Sequence, residues 1–195
     1  MHDPALLGQE LVAPAAQCLG VVKTERQLVH HLETGRLGLA AELAQLRLAG
    51  TARYSYWGFD IYQATLWVEP GFRSSEPGRS RFALELHYLR SFKGADIARR
   101  SIDEMRRVGE FSEAQAQAWL QAMQAAFPDV AAGDRLTGIH RPGQGARFLA
   151  NGRPTAEVNE PEFARLFFGI WLSDKTPEPQ LRQALLGLDR TGAQP

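Results

Sequence analysis

The chain has 195 residues, 44% of them hydrophobic, with 22 acidic residues balancing 22 basic ones. That length suits one domain able to bury a core unaided, and the zero net charge argues against a surface built for a polyanion such as nucleic acid. The single cysteine, Cys18, excludes an internal disulfide framework and a multi-cysteine zinc site.

No stretch approaches the roughly 20 apolar residues of a bilayer span. The first basic residue is Lys23, so the N-terminus lacks the basic region of a secretory signal. The expected compartment is therefore the cytoplasm, with the periplasm left open if the Ala-rich run over 12–19 is the remnant of a trimmed signal. Residues 1–22 are weakly patterned. Over 23–45, Leu28, Leu32, Leu37 and Leu43 mix with Glu25, Glu33 and Glu42 at helical spacing, broken at Gly35 and Gly38. Residues 1–43 thus read as an N-terminal helical arm and 44–188 as the main domain.

From Ala44 onward the pattern turns to strand. Leu46 and Leu48 flank Arg47, and Ala49-Gly50-Thr51 reads as a turn. Trp57, Phe59, Ile61, Gln63, Thr65 and Trp67 then alternate with Tyr62, Ala64, Leu66 and Val68. Large side chains on both faces predict a central strand with Trp57 and Trp67 in the core and Gly58 at a bulge. The polar run 70–80 is a loop. Phe82, Leu84, Leu86 and Tyr88 alternate with Ala83, Glu85 and His87, a strand with one wet face.

Gly94 opens a helix whose Ile97, Ile102, Met105 and Val108 point inward. Its Arg99-Arg100, Asp103-Glu104 and Arg106-Arg107 predict a solvated face. Ser112 and Gln115 form a capping box for the next helix, which carries Trp119, Leu120, Met123 and Phe127 and ends at Phe127-Pro128-Asp129. Strands around 136–140 and 146–151 follow, joined by Pro142-Gly143-Gln144-Gly145. That link lacks the Lys-Ser/Thr of a phosphate loop and reads as a hairpin turn. Asn151-Gly152 is a strong hairpin signal, because both residues tolerate positive φ, and it leads into a third strand over 155–158. Asn159 reads as an N-cap, with Pro161 in the first turn and Glu162 closing a capping box. Phe163, Leu166, Phe167, Ile170 and Trp171 then form a wide apolar stripe, and a last short helix spans 181–188. Without regular βα alternation, this order predicts an α+β fold: a mostly antiparallel sheet with helices gathered on one face.

Candidate chemical groups are sparse. His30-His31 would point about 100° apart on a helix and cannot share a metal. His87 and His140 sit on neighbouring predicted strands without supporting acids or cysteines, and Asp60 and Glu85 read as exposed strand charges. No cofactor and no metal are expected.

Residues 58–67 (GFDIYQATLW) carry a resemblance, together with the 84–88 strand, Pro128-Asp129-Val130, Gly133-Asp134, and the FLANG and FARLFFGIWL segments beginning at Phe148 and Phe163. In that order they resemble the chalcone isomerase-like proteins of bacteria over about residues 44–188. The resemblance implies an open-faced β-sandwich of chalcone isomerase type, in which a curved antiparallel sheet cradles a ligand cleft under a layer of helices. The family contains plant isomerases that close a flavanone ring and non-catalytic relatives, some of which bind fatty acids. The isomerases use an arginine that steadies the anionic oxygen, a threonine or tyrosine on the following strand, and a tyrosine from the start of the next helix. Arg53 matches the arginine best, with Arg47 its rival, and Tyr62 takes the strand position. Gly94-Ala95-Asp96 brings no tyrosine, a departure that favours binding over isomerisation.

An Arg–Tyr pair on an apolar cleft can hold a carboxylate by a charge-assisted fork and one phenolic donor. The expectation is non-catalytic binding of a fatty acid or similar amphipathic ligand, a polyphenol included, by Arg53 and Tyr62. Two alternatives stay open: an intramolecular lyase acting on chalcone-like enones, and a structural or partner-binding protein whose cleft is closed by Trp and Phe side chains. In an unbroken strand nine residues of separation put Arg53 and Tyr62 on opposite faces, so their pairing requires a turn or bulge near Gly58.

Overall fold

A computed structural model describes residues 43–188. Cys18, the His30-His31 pair and all but the last residue of the expected arm lie outside the described residues. Six strands pair antiparallel in chain order: β1 (Arg47–Tyr56), β2 (Phe59–Val68), β3 (Phe82–Tyr88), β4 (Arg135–Arg141), β5 (Gly145–Ala150) and β6 (Arg153–Val158). Helices α1 (Gly94–Val108) and α2 (Glu113–Ala126) connect β3 to β4, and α3 (Pro161–Leu172) and α4 (Pro179–Leu186) follow β6. This is the expected α+β architecture, an open antiparallel sheet with helices against one face.

Alternation along the strands sends Leu66, Val68, Phe82, Leu84, Ala146 and Phe148 into the main core, together with Met105, Trp119, Phe163 and Leu166 from the helices. On the opposite face Ala83, Ile139 and Leu149 form a small separate cluster, against which Leu43 and Leu46 pack. The capping box of α2 forms as expected: Gln115 N donates to Ser112 Oγ at 3.2 Å, and Ser112 N donates to Gln115 Oε1 at 2.9 Å.

Three local expectations change. The segment around Gly58 is not a bulge in one long strand but a two-residue hairpin turn, with Trp57 at φ 51° and Gly58 at φ 77°. Both central residues are left-handed, as a type I′ link demands, and a Trp in that role carries no turn signal. Trp57 therefore stands 83% exposed at the apex, and Trp67 is 37% exposed on the outer face, so neither is a core residue. Ala49-Gly50-Thr51 lies inside β1 rather than in a turn. Gly50 is there for close approach, since a Cβ on it would sit 2.0 Å from the Ala184 carbonyl oxygen at the end of α4. Finally, the N-cap of α3 is Glu160 rather than Asn159, and it makes no capping hydrogen bond. Its carboxylate instead accepts from Trp119 Nε1 at 2.9 Å, tying α2 to the start of α3, while Glu162 pairs with Arg165 at 2.7 Å.

The contact at Gly50 gives a stability test. Gly50→Ala forces backbone against backbone and should destabilise by about 1–3 kcal/mol, the usual cost of overpacking. Gly78→Ala, where an added Cβ meets nothing within 4 Å, should leave the midpoint of urea unfolding close to that of the parent protein.

Candidate functional site

Helices and sheet separate toward the β1–β3 side and leave a cavity of about 610 Å³. That volume lies in the ~300–1,000 Å³ range of small-ligand sites. Its apolar wall comes from Leu84, Leu86, Leu136, Phe127, Phe148 and Phe167. Trp and Phe side chains line the cavity without closing it.

Three tyrosines mark the other end. Hairpin register sets Tyr54 opposite Tyr62, and Tyr62 opposite Tyr88 on the next strand, so all three face the same side of the sheet. Tyr54 stacks on Tyr62 with ring centroids 5.1 Å apart, and Tyr62 meets Tyr88 edge-on at 6.1 Å. Trp171 Nε1, from the last turn of α3, donates to the Tyr62 hydroxyl at 3.0 Å. That phenol accepts the indole proton and keeps its own to donate. The Tyr88 hydroxyl makes no hydrogen bond to any described residue. Burial pushes the Tyr62 and Tyr88 phenols well above the usual tyrosine range, the indole hydrogen bond only partly opposing it at Tyr62. Tyr54 is raised too, by burial first and then by the Glu178 carboxylate. The cavity thus holds neutral phenols that can donate hydrogen bonds.

Charge enters from α1. Arg100, Glu104 and Arg107 fall at helical spacing on one face and all reach the cavity wall. Glu104 keeps only 10% of its side chain exposed, with Oε1 2.6 Å from Arg100 Nη2. Its Oε2 lies 3.5 Å from Arg107 Nε, within ion-pair range, yet makes no hydrogen bond to any described residue. A cation with donors to spare and a carboxylate oxygen with an open acceptor site therefore border the apolar space.

Of the two expected site residues, Tyr62 lines the cavity and Arg53 does not. Arg53 is the register partner of Gln63 while Tyr54 is the partner of Tyr62, so Arg53 and Tyr62 lie on opposite faces. Outside, Arg53 Nη1 pairs with Asp60 Oδ2 at 2.9 Å, and the Ser55 hydroxyl donates to Asp60 Oδ1 at 2.6 Å. That hydroxyl first, and the guanidinium second, hold the Asp60 carboxyl below its usual range. Arg47, at the far end of β1, is also absent from the lining. The turn near Gly58 exists, but it places Tyr54 rather than Arg53 beside Tyr62. Tyr54, Tyr88, Arg100, Glu104 and Trp171 complete the site. Tyr88 was visible as the last inward position of its strand, whereas the α1 charges carried only the pattern of a solvated face.

Among the described residues no group of three or more His, Cys, Asp or Glu side chains could hold a metal ion. His87 and His140 stand at opposite ends of the β3–β4 pair. His140 is buried, stacked on Phe82 at 4.7 Å, with Nδ1 2.8 Å from the Ser80 carbonyl oxygen. No described helix is long and apolar enough to cross a membrane.

A family model described as chalcone isomerase-like matches residues 38–187. An uncharacterized protein of Haemophilus influenzae is 29% identical over 148 residues, covering 76% of this chain and 71% of that protein. Among solved structures, a fatty-acid binding protein of Arabidopsis thaliana superposes with a TM-score of 0.58 at 11% identity, over 74% of this chain and 88% of that one. At that identity the likeness shows the fold.

The phenols make a pH prediction. Protonated below pH 10 in both states, Tyr62 and Tyr88 lose their protons first in the unfolded chain, at the ordinary tyrosine value of 10.0, because their folded values lie higher. The unfolded state then binds fewer protons, so stability is full below that point and falls as pH rises through it. Phenolate absorbance should accordingly rise in two stages, the second coinciding with alkaline loss of helical circular dichroism. Tyr62→Phe/Tyr88→Phe should shrink the second stage to the contribution of Tyr54.

Proposed function

The chain belongs to the chalcone isomerase-like family, and from that premise we propose that it binds a fatty acid or similar amphipathic carboxylate in its cavity without converting it. The cavity itself carries the reading. Its walls are mostly aliphatic and aromatic, and its polar groups include Tyr54, Tyr62, Tyr88 and Arg100. A carboxylate there takes hydrogen bonds from the neutral Tyr62 and Tyr88 phenols and charge from Arg100, whose guanidinium commits one nitrogen to Glu104 and has other donors left. The acyl tail then lies against Leu86, Leu136, Phe127, Phe148 and Phe167. Each buried methylene contributes about 0.8 kcal/mol, so a chain long enough to reach those rings binds mainly through its tail. The Arabidopsis protein named as a fatty-acid binder shares the fold, which supports the same class of ligand here. Arg53 takes no part, because Asp60 holds it on the other face.

Native mass spectrometry of the purified protein, with organic extraction of what co-purifies, comes first, followed by calorimetric titration with dodecanoic and hexadecanoic acids. Tyr62→Phe and Arg100→Ala should each weaken binding roughly tenfold, the scale of one charge-assisted hydrogen bond. Arg53→Ala should leave affinity unchanged. Conversion of a chalcone to its flavanone, abolished in Tyr62→Phe, would replace this reading with the lyase one. A protein that takes up neither acid would remove it.

A further inference from the structure

The β1–β2 hairpin ends in three aromatic side chains that the fold leaves uncovered. Trp57 is 83% exposed at the apex, Phe59 56% and Tyr56 54%. Tyr56 and Trp57 stand 6.2 Å apart, and the Arg90 guanidinium sits 4.4 Å over the Phe59 ring. Arg90 is drawn there from the end of β3, where Leu89 N donates to the Ile61 carbonyl at 2.9 Å. Among the described residues it makes no ion pair, so the apex carries a cation not matched by an acid.

Trp57 also occupies a turn position that suits Asn or Gly, at φ 51°. The bulk of the indole is thus placed in solvent at a cost in backbone strain, with the neighbouring Tyr56 ring its aromatic contact among the described residues. The same hairpin forms the rim of the cavity, where Tyr54, Tyr56 and Ile61 contribute to the lining. Aromatic apex, cation and cavity mouth coincide.

We infer that this apex docks on a lipid bilayer, with Tyr56, Trp57 and Phe59 entering the interfacial layer and Arg90 meeting lipid phosphates. Trp and Tyr rings favour that layer because one edge is apolar and the other hydrogen-bonds to water. A basic residue beside them gains from anionic headgroups. A projecting two-residue apex offers far less area than a stable protein interface buries, which favours a bilayer over a protein partner. The ligand that crosses from bilayer to mouth rests on the acyl-binding reading above, but the docking surface does not.

The test is co-sedimentation of the full chain with vesicles of phosphatidylcholine, alone and mixed with phosphatidylglycerol. The protein should bind both, and more tightly when phosphatidylglycerol is present. Trp57→Asn suits the turn better than Trp, so it should fold at least as well while losing about tenfold in vesicle partitioning, as should Phe59→Ser. Arg90→Gln should remove the preference for phosphatidylglycerol. Dodecanoic acid titrated into the same variants separates the two readings: retained acid uptake with lost vesicle binding assigns the apex to the bilayer alone. Vesicle binding without acid uptake keeps the apex and removes the acyl ligand. The inference is overturned if the parent protein stays in the supernatant with both lipids or if Trp57→Asn binds vesicles equally. It is also overturned if sedimentation velocity shows a dimer that Trp57→Asn dissociates, since the apex would then belong to a second copy of the chain.

Discussion

Helix α3 stands off the sheet on aromatic rings, and that spacing decides what the rest of the molecule can do. Phe148 of β5 meets Phe163 and Phe167 edge-on, with centroids 6.1 and 5.1 Å away, and Phe168 meets Phe82 of β3 in the same way at 4.9 Å. Edge-to-face rings hold their centroids about 5 Å apart, so the helix cannot settle closer without breaking them. The sheet accommodates one of these rings through Gly138, where a Cβ would fall 2.9 Å from Phe168. On its other side α3 meets α1 at Gly169, where a Cβ would lie 2.6 Å from Val108. Where the rings fill the gap there is core. Beyond the Phe82–Phe168 contact they leave a gap toward Tyr54, Tyr62 and Tyr88, which Trp171 crosses at its hydrogen bond to Tyr62.

The size of the space left over separates a packing defect from a site. The space of about 610 Å³ opens at the rim formed by the β1–β2 hairpin, so it is reached from outside, by water or by a ligand. Phenol hydroxyls, Arg100 and the open Oε2 of Glu104 offer water partners, whereas Phe127, Phe148 and Phe167 present apolar rings to the same space. An amphipathic occupant satisfies both kinds of surface at once, and water satisfies only one.

Much of this fold was legible because its elements obey local rules. The β3 alternation, the Ser112–Gln115 box, the Asn151-Gly152 hairpin and the Phe163–Trp171 stripe each carry their own signal. What failed was long-range. Nothing local marks Trp57 as a turn residue, so the pattern carries β2 back through Gly58 and puts the turn at Gly50, whose role in the fold is contact with α4. Tyr62, which the resemblance puts at the strand position, shares the interior face with Ala64, Leu66 and Val68 and lines the cavity. Arg53 is what the resemblance implies for the arginine, but a hairpin converts spacing into register, and the register makes Tyr54 the neighbour of Tyr62. Arg100, Glu104 and Arg107 share one helix face in the sequence. Whether that face meets bulk water or a cavity depends on how α1 lies over the sheet, which no local pattern encodes.

One two-residue turn accordingly governs both ends of the functional argument. Its position fixes which β1 side chains face inward, so it delivers Tyr54 to the cavity and leaves Arg53 with Asp60 outside. A shift by one residue would exchange the two, placing a guanidinium beside Tyr62 and a phenol in solvent. With the observed register, positive charge comes instead from α1, where Glu104 partly neutralises it. The same turn sends Trp57 outward at the rim of the cavity it helps to define. Register at residues 54–62 thus sets the chemistry inside and the surface outside in a single step.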